Sequence, residues 1–433
     1  MELIIIGLFG LSLLFCLLAN LSILYALLIG YVLFFCYGLI TKHGVKELLR
    51  LSVQGIYQIK VILIVLVLIG MITATWRASG TIAYITYTSS HLIIPSIFIF
   101  IVFLLNCVIS ILTGTSVGTA ATMGIICMSL GNIMGINGVL VGGAILSGIY
   151  VGDRCSPVST SALLISTLTK TNIYQNIKQM VRTSVVPFIV TCAIYLVVGF
   201  ITSAKPKTLE IFDIIPHYFQ LHWILLLPPA LIIFLALFRL KVLWLMSISV
   251  VVSCVLCVFI QHITINNLLY IMLWGYHIDN TELAGIFNGG GILSMVKVIA
   301  IICISASYSG IFSGTGILER LKKSIAVSSN YFSVYGSILL VSFCTSIIAC
   351  NQTLSIILTY MLCKDLATDE QELAIDLEDT AVVVSPLIPW SISCAIPLVT
   401  VGAPMMSIAF ACYLYLIPLW RLAFLRRYPK QVP

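Results

Sequence analysis

The stretch Gly152-Asp153-Arg154-Cys155-Ser156-Pro157-Val158-Ser159-Thr160 follows directly on a long uncharged run, residues 78–152, that contains no Asp, Glu, Lys or Arg. Such a run is typical of membrane-spanning segments. An acidic and a basic side chain, a helix-breaking proline and three hydroxyl groups are costly in lipid unless they face protein or water. We therefore interpret this stretch as half of an ion-coupled transport site and expect its counterpart in the second half of the chain.

The composition of the chain is that of a membrane protein. Of its 433 residues, 61% are hydrophobic and 9% are charged, whereas a soluble domain is nearer half apolar and a quarter charged. Since a spanning helix needs about 20 apolar residues, the apolar runs predict an all-α polytopic membrane protein with roughly 10–12 transmembrane helices in the lipid bilayer. The longest polar stretch, residues 365–379, is too short to form a core of its own.

The charged residues exclude some classes of protein and indicate an orientation. The net charge of +7 comes from basic residues scattered over short loops, so no nucleic-acid partner is predicted. The histidines lack metal-ligand spacing and no nucleophile–base set is evident, so neither an enzyme nor a resident cofactor is predicted. Basic residues in the segment 41–50 and after Trp420 predict that both termini lie on the cytoplasmic side of the cell membrane. The sequence leaves the oligomeric state open, with a homodimer as one candidate.

Features of the first half recur in the second half. Three residue pairs lie 237 positions apart, namely Lys60 and Lys297, Cys107 and Cys344, and Ser116 and Thr353. The pattern predicts N-terminal spans and a cytoplasmic loop in residues 1–50, a first structural repeat in 51–203, a linker in 204–220 and a second repeat in 221–433. Repeats with an odd number of spans are inverted, and their broken helices and re-entrant hairpins place a site at mid-membrane.

The polar breaks offer the oxygen ligands that a sodium ion needs when it leaves water. The candidates in the first half are Thr113, Gly114, Thr115, Ser116, Thr119, Asp153, Ser156, Ser159 and Thr160. Those in the second half are Asn351, Gln352, Thr353, Asp379, Thr380 and Ser385. We expect Na⁺ at Asp153, Ser116, Asn351 and Thr353. An Asp that can hold either a proton or sodium gives exchange directly, since only one of the two can occupy it.

Simpler interpretations stay open for several of these residues. Asp153 and Arg154 could form an internal salt bridge that only joins two helices, and Asp379 could be the solvated end of a helix. A hydroxyl inside a span often bonds its own helix. Arg77 could bind a substrate carboxylate or pair with Asp153, and Arg154 is the other candidate for a carboxylate partner.

Several stretches together resemble the NhaC-type sodium/proton antiporter family, within the wider ion transporter superfamily. They are residues 74–81, 113–119, 142–148 and 152–157 in the first half, and 350–352 and 377–390 in the second half. The resemblance covers about residues 61–420 in the right order. It implies inverted repeats, sodium coupling and a site at the two polar breaks.

One departure from the family pattern matters for the transported solute. The family usually continues from Ser-Pro to Ser-Asp-Thr-Thr, whereas this chain has Ser159-Thr160-Ser161 and so lacks an expected acidic side chain. Some family members move organic acids or amino acids instead, including malate/lactate exchange. We predict a secondary active transporter that exchanges sodium for protons through a mid-membrane site. The alternative is sodium- or proton-coupled transport of a small carboxylate or amino acid; a channel is disfavoured by the paired broken helices.

Overall fold

The computed structural model describes residues 2–18, 23–89, 95–202, 209–238, 242–280, 283–284, 287–315, 333–349, 351–367 and 369–425. Helices dominate this part of the chain, where the only β-pairing is an isolated antiparallel bridge between Tyr276 and Gly289. The prediction of an all-α polytopic membrane protein is confirmed.

The helices follow one another closely along the chain. Those of the first half are α1 (Glu2–Leu18), α2 (Ile23–Ile40), α3 (Val45–Gln58), α4 (Lys60–Ala78), α5 (Thr81–Ser89), α6 (Pro95–Thr113), α7 (Ser116–Thr119), a π-helical turn (Ala120–Gly124), α8 (Ile125–Ile133), α9 (Gly138–Cys155), α10 (Thr160–Leu168) and α11 (Ile173–Thr202). Next come α12 (Leu209–Tyr218), a 3₁₀ turn (Trp223–Leu226), α13 (Leu227–Leu237), α14 (Val242–Phe259), α15 (Ile265–Trp274), a second 3₁₀ turn (Ile292–Met295) and α16 (Val296–Thr315). The last are α17 (Val334–Ala349), α18 (Gln352–Cys363), α19 (Glu370–Asp379), α20 (Ala381–Val384), a 3₁₀ turn (Ser385–Leu387), α21 (Ile392–Val401), a 3₁₀ turn (Met405–Phe410) and α22 (Cys412–Leu425).

Most of the apolar helices are short or are interrupted by a break. In the described residues, α6 and α11 are long and apolar enough to cross a membrane as single helices. A third candidate is the bent pair Glu370–Leu387 and Ile392–Val401, which turns by 55° at its break. The other apolar helices are shorter, so the predicted number of 10–12 spans stays a prediction.

The first break lies between α6 and α7. Gly114 has a φ of 65°, a left-handed conformation that side chains other than glycine rarely adopt. A β-carbon at this position would also lie only 2.5 Å from Cγ2 of Val158. Thr115 then caps α7, because its side-chain oxygen accepts a hydrogen bond from Gly118 N at 2.8 Å. The break therefore places the first turn of α7, which begins at the buried Ser116, inside the protein.

The order of breaks in the first half recurs in the second half. The capped start of α7 is matched by α18, whose N-cap is Asn351. The break between α9 and α10, with Ser159 as N-cap, is matched by the break before α21, with Ser391 as N-cap. This recurrence is what a duplication predicts, whereas the repeat boundaries themselves stay predictions. Of the predicted linker 204–220, residues 204–208 lie outside the described residues and 209–218 form α12.

Helix α9 is enclosed along most of its length, with every residue from Leu140 to Arg154 buried. It lies so close to α6 that a β-carbon on Gly152 would sit 2.0 Å from the carbonyl carbon of Ser110. The Ser110 hydroxyl donates to Ile149 O and accepts from Gly152 N at 3.1 Å. This close approach brings the end of α9 beside the start of α7, which follows α6.

The two halves of the sequence interlock through their side chains. Trp76 of α4 donates its indole hydrogen to the Ser249 hydroxyl of α14 at 3.0 Å. The aromatic rings of Phe9 and Phe34, from the N-terminal helices, pack against Tyr308 of α16. The predicted segments 1–50 and 221–433 are therefore in direct contact.

Candidate functional site

The carboxylate of Asp153 is held at the start of α7. Its Oδ1 accepts a hydrogen bond from Ser116 N at 3.2 Å, and its Oδ2 accepts one from the Ser116 hydroxyl at 3.0 Å. Asp153 is 4% exposed. The first amides of a helix lack partners within the helix, so this carboxylate satisfies an amide that would otherwise be unpaired. The structure thus brings together two of the predicted sodium ligands.

The second half of the chain closes the site around Asp153. The Gln352 amide, in the first turn of α18, interacts with the Asp153 carboxylate, and it also donates to Val382 O at 3.2 Å. Tyr150, one turn before Asp153, donates its hydroxyl to Ser393 O in α21 at 2.5 Å. Polar groups of α7 and α18 therefore surround one buried carboxylate of α9, and α21 is joined to the same helix through Tyr150.

The hydroxyl cluster at the second-half break lies beside Tyr150. The Ser385 hydroxyl is 3.2 Å from that of Ser391 and 3.3 Å from that of Ser393. All three serines are buried. Their oxygens extend the polar surface that begins at Asp153 and Ser116.

A charge-balanced network lies next to this carboxylate. Arg154 pairs with Oδ1 of Asp379 and donates to the Thr183 hydroxyl at 2.7 Å. Arg421 of α22 pairs with Oδ2 of Asp379 at 3.0 Å and with Asp376. The four charged side chains are at most 11% exposed. Two arginines and two aspartates cancel, so burying them in a membrane protein leaves no net charge.

Glu378 is a buried carboxyl that this network does not include. Its exposed fraction is 0%. In the part of the chain that the structure describes, neither of its oxygens has a hydrogen-bond partner. Arg154, Asp379 and Asp153 are close enough to interact with it electrostatically. Glu378 therefore interacts electrostatically with both the ion pairs and the Asp153 carboxylate but forms no hydrogen bond with either.

Most of the other predicted ligands in the first half bond locally. Thr113 and Thr119 share a hydrogen bond of 3.0 Å, and Thr119 also donates to Thr115 O at 2.9 Å. The Ser156 hydroxyl donates to Ile111 O at 2.7 Å, and that of Ser159 donates to Asp153 O. These bonds fix the breaks on either side of Asp153. Thr160 is exposed.

The predicted ligands of the second half are divided between structural contacts and the surface. Asn351 caps α18 by accepting from Thr353 N at 2.9 Å, and Thr353 itself is exposed. Both oxygens of Asp379 are bonded to arginines, and the Thr380 hydroxyl donates to Asp376 O at 2.6 Å. The structure therefore brings Gln352, and not its two neighbours, to Asp153.

The arginine candidates differ in their surroundings. Arg154 pairs with Asp379 and not with its neighbour Asp153. Arg77 donates to Thr73 O of its own helix at 3.1 Å, and its buried Nε has no hydrogen-bond partner among the described residues. It forms no ion pair with an acidic side chain of those residues.

Sequence reasoning missed several residues that line this region. Glu378 and Asp376 stand in an acidic stretch that looked solvated, yet every residue from Leu373 to Asp379 is buried. Arg421 was interpreted as part of a basic cytoplasmic flank, whereas it lies within α22 and reaches both aspartates. The position of Arg421 inside an apolar run is the sequence signal that could have indicated its burial.

Buried charges at interrupted helices and a largely apolar exterior define a secondary active membrane transporter. The chain belongs to the Na⁺/H⁺ antiporter family, whose sequence profile matches residues 3–168 and 148–425. The resemblance to NhaC-type antiporters is thereby confirmed.

Relatives with assigned names cover most of the chain. A malate-2H⁺/Na⁺-lactate antiporter of Bacillus subtilis is 29% identical over 90% of this chain and 86% of its own length. The Na⁺/H⁺ antiporter NhaC of Alkalihalophilus pseudofirmus is 26% identical over the same shares. The arginine/ornithine antiporter ArcD of Halobacterium salinarum is 26% identical over 79% of this chain and 73% of its own length.

Proposed function

We propose that this protein exchanges sodium for protons across the cytoplasmic membrane and that sodium binds at Asp153 and Ser116. The proposed sodium site rests on the kind of partners that the Asp153 carboxylate has. No arginine, lysine or histidine of the described residues forms an ion pair with it. Its partners are a hydroxyl, a backbone amide and a side-chain amide.

A buried carboxylate without a basic partner is suited to a cargo cation. Burial of an isolated ionised carboxylate is strongly unfavourable. A cation that binds there neutralises that charge and so removes the unfavourable burial. Hard cations such as sodium prefer carboxylate, hydroxyl and carbonyl oxygens. Asp153 supplies the charge and Ser116 supplies a hydroxyl, while the Gln352 amide donates a hydrogen bond to the Asp153 carboxylate. Asp379 and Thr380, whose polar atoms are already bonded, are not part of this proposed set.

Everted membrane vesicles provide the test of the exchange. Addition of sodium to vesicles with a preformed, acid-inside pH gradient is expected to dissipate that gradient, whereas choline is not. The Asp153→Asn variant is expected to lose the response although the protein still reaches the membrane. Asp369→Asn is the matched control, because Asp369 caps α19 at an exposed position and Asn caps a helix equally well. A sodium response that survives in Asp153→Asn contradicts the proposed site.

A second function, coupled transport of a small carboxylate, is favoured by Arg77. Its guanidinium has no acidic partner among the described residues, and its buried Nε is unbonded. Guanidinium groups bind carboxylates through paired hydrogen bonds, and the relative at 29% identity is named for malate and lactate. Uptake of labelled malate and lactate into the same vesicles tests this function. Uptake that is sodium-dependent and lost in Arg77→Met favours carboxylate transport, and absence of uptake in the unmodified protein excludes it for these two solutes.

The orientation is also part of the proposal. We place both termini on the cytoplasmic side, as the basic segments predict. The basic residues of the segment 41–50 and after Trp420 support this orientation, whereas the apolar side chains that remain exposed on the helices, such as Phe259, Phe200 and Trp244, support only a position within the bilayer. Accessibility of a C-terminal tag in intact cells and in everted vesicles tests the orientation: the tag must be reached only in the vesicles.

A further inference from the structure

We propose that Glu378 carries the exchanged proton, at a position separate from the sodium-binding carboxylate of Asp153. This inference rests on the proposed sodium/proton exchange and assigns its proton to a residue. It starts from the charges that the buried region contains. Arg154 and Arg421 are neutralised by Asp379 and Asp376. Two buried acidic side chains then remain that form no ion pair with a basic side chain of the described residues, Asp153 and Glu378.

The two remaining side chains have opposite surroundings. Asp153 accepts hydrogen bonds from Ser116 on both of its oxygens, as an ionised carboxylate requires. Glu378 is completely buried, and neither of its oxygens accepts a bond from any described residue. An unpaired ion costs several kcal/mol in such a place, whereas a neutral carboxyl costs far less. The geometry therefore accommodates an anion at Asp153 and a protonated carboxyl at Glu378.

The groups that surround Glu378 support this division. The ionisable groups that act on it are Asp153, Arg154 and Cys155 of α9 and Asp379 of its own helix. Of the neighbouring helices, α17 contributes Tyr335 and α22 contributes Arg421, and both bond to Asp379. Of the ionisable side chains of α11, Tyr174, Lys178 and Arg182 are exposed, Cys192 is half-buried, and the buried Tyr195 bonds to Ser147 and Phe410 O. Those of α18 are Tyr360 and Cys363, and α10 and α20 have none. The buried Tyr413 of α22 acts on Arg154 and Cys155. Arg154 is the basic side chain that acts on Glu378, but it is already paired with Asp379.

The arrangement also explains how sodium and proton become coupled. Sodium bound at Asp153 removes the negative charge that acts on Glu378, so Glu378 can then ionise and release its proton more easily. Proton binding at Glu378 must in turn weaken sodium binding at Asp153, because such linkage is reciprocal. One positive charge enters at Asp153 as one leaves Glu378, so the net charge of the buried region does not change. Neighbouring carboxyls can thus exchange two cations without sharing one binding position.

The test separates sodium binding from proton coupling in reconstituted proteoliposomes. Exchange of ²²Na⁺ against unlabelled sodium, at equal pH on both sides, requires the sodium position only. Sodium uptake driven by a pH gradient requires both positions. In Glu378→Gln, which is isosteric and cannot release a proton, we expect gradient-driven uptake to fall by roughly tenfold or more. Sodium/sodium exchange is expected to persist at saturating sodium but to need a sodium concentration roughly 5–150-fold higher, because the neutral Gln resembles the protonated carboxyl, which disfavours sodium at Asp153.

Two further variants control the experiment. Glu370→Gln changes the same residue type in the exposed first turn of the same helix and is expected to leave both activities unchanged. Glu378→Asp keeps a carboxyl and is expected to restore part of the gradient-driven uptake. If Glu378→Gln keeps gradient-driven uptake, or if it loses both activities while Glu378→Asp also loses both, the proposal is overturned. If the unmodified protein shows sodium/sodium exchange but no proton coupling, the proposed function fails first and the assignment of the proton falls with it.

Discussion

Replacement of Gly152 by alanine tests whether the close approach of α9 to α6 builds the sodium site. The new β-carbon would lie 2.0 Å from the carbonyl carbon and oxygen of Ser110. Ordinary van der Waals contact begins at 3.4 Å, so the backbones must separate by about 1.4 Å. The obstructing atoms are main-chain atoms of a buried helix and cannot rotate away.

The consequence for Asp153 follows from the lengths of its hydrogen bonds. Its two bonds to Ser116 measure 3.2 and 3.0 Å, already at the long end of the usual range, and a contact of about 3.6 Å is no longer a hydrogen bond. A separation of that size therefore disrupts both. Each hydrogen bond to a charged group contributes about 1.5–3 kcal/mol. Loss of one raises the half-saturating sodium concentration by roughly tenfold, and overpacking costs about 1–3 kcal/mol of stability.

The assay is sodium-dependent dissipation of a pH gradient in vesicles, measured over a range of sodium concentrations. Gly138→Ala is the matched control, because it changes the first residue of the same helix, where the nearest atom would be 3.6 Å away. It is expected to leave the half-saturating concentration unchanged. Wild-type sodium affinity in Gly152→Ala would refute the reasoning, because the position of Asp153 would then not depend on contact between the two helices.

Three further changes test individual contacts. Arg154→Met leaves a buried carboxylate of Asp379 half-paired, which is expected to lower stability by about 3–5 kcal/mol; an unchanged melting temperature in detergent would contradict the network. Ser116→Ala removes a hydroxyl bonded to Asp153 and is expected to weaken sodium binding about tenfold at constant melting temperature; unchanged affinity would remove Ser116 from the site. Tyr150→Phe removes the bond to Ser393 O and is expected to cost about 1 kcal/mol, measured by thermal unfolding, while a more stable variant would show that the bond is not favourable.

The sequence singled out Asp153 and Ser116, which the structure joins by two hydrogen bonds, because the signals there are local. A charged residue and a run of hydroxyls interrupt an uncharged segment, so Asp153 and Ser116 stand out without any knowledge of packing. In the second half the sequence located the break but not the residue. Successive helical residues point about 100° apart. Whether Asn351, Gln352 or Thr353 faces Asp153 therefore depends on how α18 is rotated, which no local pattern specifies.

Buried ion pairs escaped prediction for a different reason. Arg154 and Asp379 are 225 positions apart, and Arg421 lies 42 positions after Asp379. Asp379 alone resembles the solvated end of a helix, Arg421 resembles part of a basic cytoplasmic flank, and Arg154 gives no indication of which acidic residue it pairs with. Their partners become visible only when α9, α19 and α22 are assembled. Glu378 was overlooked in the same way, since an acidic stretch has the composition of a loop although its helix is enclosed.

Equilibrium binding of ²²Na⁺ to the purified protein tests the central claim most directly. The unmodified protein is expected to bind sodium saturably at neutral pH, Asp369→Asn is expected to bind it equally well, and Asp153→Asn is expected to show no saturable binding. Saturable binding of unchanged affinity in folded Asp153→Asn would contradict the account, because the cation would then be held elsewhere.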